Sequence, residues 1–91
     1  MFLHLGKDVV IPKKDIVAII DMDTSTSSRH TRAFLSEAEK RGEVFVVTDE
    51  LPRSAVVCAG RGSVEVYICQ ISSKTLLKRA QSGASVYDSL M

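Results

Sequence analysis

Short apolar runs separated by turn residues open the chain and predict three consecutive β-strands. The first two, at residues 2–5 and 9–11, flank a turn at residues 6–8, where glycine tolerates the backbone conformation of a tight reversal. Pro12 ends the second strand, because proline cannot donate a hydrogen bond to a β-ladder. The third run, residues 16–20, is apolar at every position, which predicts a central strand covered on both faces.

A helix is predicted after the polar connection at residues 21–28. Apolar positions recur at spacings of three and four residues, which places them on one face of a helix over residues 28–41. These positions are Thr31 (through its methyl group), Phe34, Leu35 and Ala38. Gly42 predicts the end of the helix, since glycine readily adopts the left-handed conformation that terminates helices.

The second half of the chain returns to strands before a last helix. The predicted elements are a strand at 44–47, a loop at 48–53, a β-hairpin of strands 54–59 and 64–70, and a helix at 74–81 capped by Ser72 or Ser73. The order β-β-β-α-β-β-β-α predicts an α+β fold: a small mixed or antiparallel β-sheet with one long helix packed on it and a short C-terminal helix. We interpret residues 1–81 as a single domain and residues 82–91 as a short tail.

The two cysteines lie on adjacent strands of the predicted hairpin. A turn centred on residues 61–62 puts Cys58 opposite Glu65 or Val66, which leaves Cys69 on the order of 10 Å or more away. A disulfide needs α-carbons within about 7 Å of one another. We therefore expect two reduced thiols that pack as small apolar side chains.

Composition limits the classes of function. The 91 residues carry 12 lysines and arginines against 11 acidic residues, a net charge of +1, which is not typical of a strongly basic nucleic-acid-binding domain. A DNA site would need local clustering of charge, and a symmetric oligomer would multiply a small basic patch. Oligomerisation is also a common remedy for the small core of so short a chain.

No pattern in the sequence indicates catalysis or a cofactor. His4 and His30 have no metal ligand at a motif spacing, and the serines sit in capping and turn contexts without a base and an orienting group. We therefore expect no enzyme activity, no metal and no cofactor. The N-terminus lacks the pattern of a signal peptide and no apolar run is long enough to span a bilayer, so we expect a cytoplasmic protein that does not engage membranes.

Basic residues are the remaining functional signal, and they fall into four local groups. The groups are Lys13 with Lys14; Arg29, His30 and Arg32; Arg53; and Lys74, Lys78 and Arg79. Lys74 and Lys78 are four residues apart and face the same side of the predicted last helix. Each group is either a solvated surface or a set of phosphate contacts, which would give salt-dependent and weakly specific binding.

Several collinear segments resemble the RemA/RemB family of extracellular-matrix regulators from spore-forming bacteria. The resemblance covers about residues 1–81. The segments His4-Leu5-Gly6, Asp15-Ile16-Val17 and Lys78-Arg79-Ala80-Gln81 are most similar to the RemB branch, and the stretch from Arg41-Gly42 to Ser54-Ala55-Val56-Val57 is similar to both branches.

The resemblance implies a ring-shaped homo-oligomer. In the RemA branch such rings bind DNA and activate the transcription of biofilm-matrix genes, and an adjacent arginine pair precedes the strand that begins here at Ser54. Leu51 and Pro52 occupy or adjoin those two positions in this chain, and Arg53 is the local arginine. A further basic residue of that branch falls near Asp15, with Lys14 beside it.

Two hypotheses follow. The first is a transcriptional regulator that binds duplex DNA as a ring, with Arg53, Lys13 and Lys14 as phosphate contacts. The second is an oligomeric scaffold that binds protein partners and no nucleic acid. The near-neutral charge favours the scaffold, and the apolar end of the tail is then a candidate contact segment; its apolar residues are Val86, Tyr87, Leu90 and Met91.

Overall fold

A computed structural model describes residues 1–22, 28–60 and 62–81, and the predicted tail lies outside these ranges. The elements are β1 (Phe2–Gly6), β2 (Val9–Pro12), a 3-10 turn (Lys13–Asp15), β3 (Ile16–Asp21), α1 (Arg29–Lys40), β4 (Val44–Val46), β5 (Ser54–Gly60), β6 (Ser63–Cys69) and α2 (Ser73–Gln81). The predicted α+β class and the order of its elements are confirmed. The predicted long helix, α1, has 12 residues.

The strands form two sheets, whereas the sequence predicted a single one. β1 and β2 pair as an antiparallel hairpin, and the larger sheet has the order β3-β5-β6-β4. Within the larger sheet β4 runs parallel to β6, and the other pairs are antiparallel. The separation occurs at Pro12 and the 3-10 turn, where proline supplies no amide donor and the chain leaves the ladder before β3 begins.

β3 lies at an edge of the larger sheet, and the prediction of a central strand covered on both faces was wrong. It pairs with β5 on one side, and Val17 is 65% exposed. A bulge between Ile16 and Ala18 shifts the register at this point. The apolar run correctly indicated a strand, but its composition could not reveal that the β1–β2 hairpin would pack on the sheet instead of extending it.

α1 covers one face of the larger sheet. The helix begins at the Ser28 cap, whose Oγ accepts a hydrogen bond from the Thr31 amide at 3.4 Å. The predicted apolar stripe is confirmed, since Ala38 is fully buried and Phe34 and Leu35 pack beside it. The sheet residues of this cluster are Ala55, Val57, Val66 and Ile68. Because β3 and β4 run in the same direction, α1 is a crossover that links the two edges of the sheet.

The β1–β2 hairpin and α2 cover the opposite face of the sheet, which makes three layers in all. Leu3, Leu5 and Leu76 are the largest side chains buried there. The sheet contributes Val56, Cys58 and Cys69 to the same cluster. The core of this short chain is therefore divided between two faces of one four-stranded sheet.

The β5–β6 hairpin follows the predicted register. It closes between Gly60 and Ser63, and Cys58 pairs with Glu65 while Cys69 pairs with Ser54. Both cysteines are buried free thiols, as predicted. Gly62 has a φ of +80°, a conformation that glycine adopts without strain.

Candidate nucleic-acid interface

Arg53 stands at the end of the larger sheet where β5 begins. Its amide donates to the carbonyl of Cys69 at 2.8 Å, and its own carbonyl accepts from the Met22 amide at 3.1 Å. These bonds continue the ladders that join β5 to both of its neighbours. The backbone of Arg53 is thus fixed on two sides, while its side chain is exposed.

Lys13 and Lys14 lie at the other end of β5. They occupy the 3-10 turn before β3, and the Lys13 amide donates to the carbonyl of Met1 at 2.9 Å. Lys14 is exposed and lines an open cleft together with Asp15 and Gly60, the last residue of β5.

The structure does not bring the three predicted phosphate contacts together within one protomer. Arg53 precedes β5 and the two lysines adjoin its last residue, so the length of this strand separates them. Six residue steps from Ser54 to Gly60 correspond to about 20 Å at the usual rise of a β-strand. Any single surface that includes all three residues must span the full length of the sheet.

Acidic side chains accompany the two lysines. The carboxylate of Asp15 lies against Gly60, and Glu65 pairs with Cys58 on the neighbouring strand. Burial, together with the negative charges of Glu65 and Asp15, raises the pKa of the Cys58 thiol to about 11. The charge at this end of the sheet is therefore mixed.

The Arg53 end of the sheet adjoins the start of α2. Ser54, which is fully buried, donates its hydroxyl hydrogen to the carbonyl of Ile71 at 2.7 Å. Ser72 then caps α2, because its Oγ accepts a hydrogen bond from the Thr75 amide at 3.2 Å. These contacts hold the start of β5 beside the first turn of the helix that carries Lys74.

Sequence reasoning treated Arg53 and the lysines of α2 as separate groups and missed that the start of β5 lies beside the start of α2. The residues are more than 20 positions apart in the chain, and what joins them is the pairing of Ser54 with Cys69. The glycines of the β5–β6 turn could have indicated this arrangement, since the register that they impose brings the start of β5 to the end of β6.

Apolar side chains are exposed at both edges of the larger sheet. At the β4 edge Phe45 is 44% and Val46 is 67% exposed, and Val17 is exposed at the β3 edge. Leu51, in the loop before Arg53, is 81% exposed. Exposed edges with apolar side chains are typical sites of association with another chain.

Residues 1–22, 28–60 and 62–81 contain neither a cluster of metal ligands nor a membrane-spanning helix. Within those residues, no three side chains of histidine, cysteine, aspartate or glutamate converge in a way that could hold a metal ion. No helix in the same ranges combines the length and the apolar character needed to cross a bilayer.

The chain folds as a small α+β domain with exposed apolar sheet edges, and the comparison with known proteins gives its family. The chain belongs to the RemA-like family, because residues 2–80 match the family described as "RemA-like: Extracellular matrix regulatory protein A-like". It is also 35% identical over 81 residues to "Extracellular matrix regulatory protein B" of Bacillus subtilis (strain 168), covering 89% of this chain and 91% of the relative. The resemblance to the RemB branch is thereby confirmed.

Proposed function

We propose that the protein is a DNA-binding transcriptional regulator of extracellular-matrix genes that acts as a ring-shaped homo-oligomer. Membership of a family of extracellular matrix regulatory proteins supports the regulatory role. The observation that carries the DNA-binding part is Arg53: its backbone is held in the ends of two strand ladders, while its side chain is exposed. An arginine held in this way offers a preorganised contact for a phosphate group.

The two edges of the sheet differ from each other, and this difference supports assembly into a ring. One edge is β3 and the other is β4, and each exposes apolar side chains. A contact between unlike surfaces of two copies is head-to-tail, and such contacts close into rings when the rotation between copies permits. Burial of Val17 of one copy and Val46 of the next would remove apolar area from water and stabilise the contact.

Repetition around a ring compensates for the small charge of each copy. Arg53 of every copy would recur along one rim, and Lys13 with Lys14 would recur along the other, since these residues lie at opposite ends of the same strand. Duplex DNA that follows such a rim is held through its backbone and selected by its shape and ease of bending.

Fluorescence anisotropy of a labelled duplex, measured over a series of salt concentrations, tests the proposal. The wild-type protein should bind with an affinity that falls log-linearly with salt. Arg53→Ala should reduce the magnitude of that slope by about 0.9, the value expected for the loss of one phosphate contact. Lys40→Ala is the matched control, because Lys40 lies on α1 and faces Glu37 at 3.8 Å. An unchanged slope for Arg53→Ala would remove Arg53 from the interface.

The scaffold is the second candidate, and Leu51 is the observation that favours it. A leucine that is 81% exposed directly before Pro52 and Arg53 suits a protein partner better than a phosphate backbone. If folded protein fails to bind the duplex even at low salt, the scaffold becomes the primary function. Leu51→Ser and deletion of residues 82–91 would then separate a contact through the loop from a contact through the tail.

A further inference from the structure

We infer that Lys74 and Lys78 of α2 form a surface that contacts the phosphate backbone of duplex DNA. This inference rests on the proposed function and assigns a further binding element to it. α2 carries the exposed Lys74 and Lys78 and the half-buried Arg79, and its nine residues include no aspartate or glutamate.

The two lysines of α2 differ from several other basic residues of the described chain in their ion pairs. Lys40 and Arg41 face Glu37, and Lys7 pairs with Asp49 at 3.0 Å. Lys13 and Lys14 adjoin Asp15. By contrast, no ion pair joins Lys74 or Lys78 to another residue that the structure describes. Their charge is therefore available to an anionic partner.

The position of α2 makes the surface rigid. Leu76 is fully buried among Leu3, Leu5 and the sheet, so it anchors the middle of the helix. Lys74 and Lys78 are one turn apart, which places their side chains on the same side and about 6 Å from each other along the helix axis. Both can therefore reach one strand of a DNA backbone without reordering the helix.

Arg53 lies at the same end of the sheet but on its other face, because side chains alternate along a strand and Ser54 points toward α2. The hydrogen bond from Ser54 to Ile71 and the Ser72 cap fix the end of β5 against the first turn of α2, where Lys74 lies. Asp21 pairs with Ser54 and is the acidic residue of β3 at this end. The two lysines contact phosphates as charges and hydrogen-bond donors, which carries no base sequence information.

Duplex DNA suits this helix better than an anionic membrane surface. A helix that lies in a membrane needs a free apolar face to insert into the lipid. The apolar face of α2 is already used by the protein core, through the buried Leu76 and the half-buried Ala80. Leu77 is exposed beside Lys74, and a single leucine offers little area for insertion.

The test is the double substitution Lys74→Gln/Lys78→Gln, measured by anisotropy of a labelled duplex over a salt series. Loss of two phosphate contacts should reduce the magnitude of the log-log salt slope by about 1.8 and weaken binding by about tenfold or more at ~0.1 M salt. Lys74→Arg/Lys78→Arg keeps both charges and should bind as the wild type does. Lys40→Gln/Arg41→Gln removes two charges from the C-terminal end of α1 and its cap and should leave the slope unchanged.

The outcomes distinguish this inference from the proposed function. Wild-type binding together with an unaltered Lys74→Gln/Lys78→Gln variant, shown to be folded by circular dichroism, overturns the inference and leaves the proposed function standing. Absence of wild-type binding at low salt overturns the proposed function itself. Sedimentation with phosphatidylserine vesicles adds a third reading: a variant that loses vesicle binding but keeps duplex binding would assign α2 to membranes and overturn the inference.

Discussion

The carboxylate of Asp15 packs against the bare α-carbon of Gly60. A β-carbon at Gly60 would lie 3.0 Å from the carboxyl carbon and from one carboxylate oxygen of Asp15. The contact joins the 3-10 turn before β3 to the last residue of β5, so it closes one end of the β3–β5 strand pair. It also holds a negative charge next to Lys14.

Gly60→Ala therefore has an effect on stability that depends on residue 15. In the wild-type background the added methyl group must displace the Asp15 carboxylate. We expect this overpacking to destabilise the fold by about 0.5–1 kcal/mol. The cost is small because the displaced group is the end of a short side chain. In an Asp15→Ala background the same change should stabilise by about 0.4–1 kcal/mol, because alanine restricts the unfolded chain. Urea denaturation of the four proteins measures both values, and equal effects in the two backgrounds would exclude the steric contact.

Charged substitutions at the sheet edges should prevent the proposed assembly. Val46→Lys and Val17→Lys each place an ammonium group where the proposed contact buries an apolar side chain, and an unpaired buried charge is strongly unfavourable. Multi-angle light scattering should show a mass that falls toward that of a single chain. Ala33→Lys, on the exposed side of α1, is the control and should retain the wild-type mass. Assembly that survives both edge variants would place the contact elsewhere.

Ser54→Ala should destabilise the fold by about 1–3 kcal/mol, because it leaves the Ile71 carbonyl without its buried hydroxyl donor. The exposed Ser36 of α1 supplies the comparison, and Ser36→Ala should change the free energy of unfolding by less than about 0.5 kcal/mol. Midpoints of urea denaturation at unchanged m value measure both. If the two variants have the same midpoint, the Ser54 hydrogen bond does not contribute to stability.

The cysteines should be unreactive in the folded protein. Burial is the main cause that raises the pKa of both thiols to about 11. For Cys69, a hydrogen bond with the Ser54 side chain lowers the pKa and opposes part of the effect of burial. Because the reactive form is the thiolate, a thiol reagent at pH 7 should label the folded chain slowly and the urea-unfolded chain rapidly. Rapid labelling of the folded protein would contradict the buried placement of the two side chains.

The same pKa shifts predict an alkaline loss of stability. The folded state holds the two protons more tightly than the unfolded state, whose thiols have a pKa near 9.0. The contribution to stability is complete below that value and is lost as the pH rises toward about 11. A Cys58→Ala/Cys69→Ala variant should show a shallower decline in the free energy of unfolding over this interval, and an identical decline would assign the effect to other groups.

Local patterns predicted the parts of the fold that depend on local physics. The apolar stripe from Thr31 to Ala38 predicted α1. The glycines of the β5–β6 turn predicted the register that separates Cys58 from Cys69. The edge position of β3 could not be predicted, because a strand's neighbours depend on where the β1–β2 hairpin packs. The site shows the same limit: Arg53 was identified, but the place of the start of β5 beside α2 arises from pairing between distant residues.

The stacking of Phe45 on Tyr67, with ring centroids 5.4 Å apart and planes inclined by 24°, has a practical value for every experiment above. The chain contains two tyrosines and no tryptophan, so its near-ultraviolet signal comes from very few chromophores. A tyrosine held against a phenylalanine in a fixed asymmetric setting gives near-ultraviolet circular dichroism that disappears when tertiary packing is lost. The protein therefore carries its own optical reporter between β4 and β6, which can show that each variant is folded without any dye.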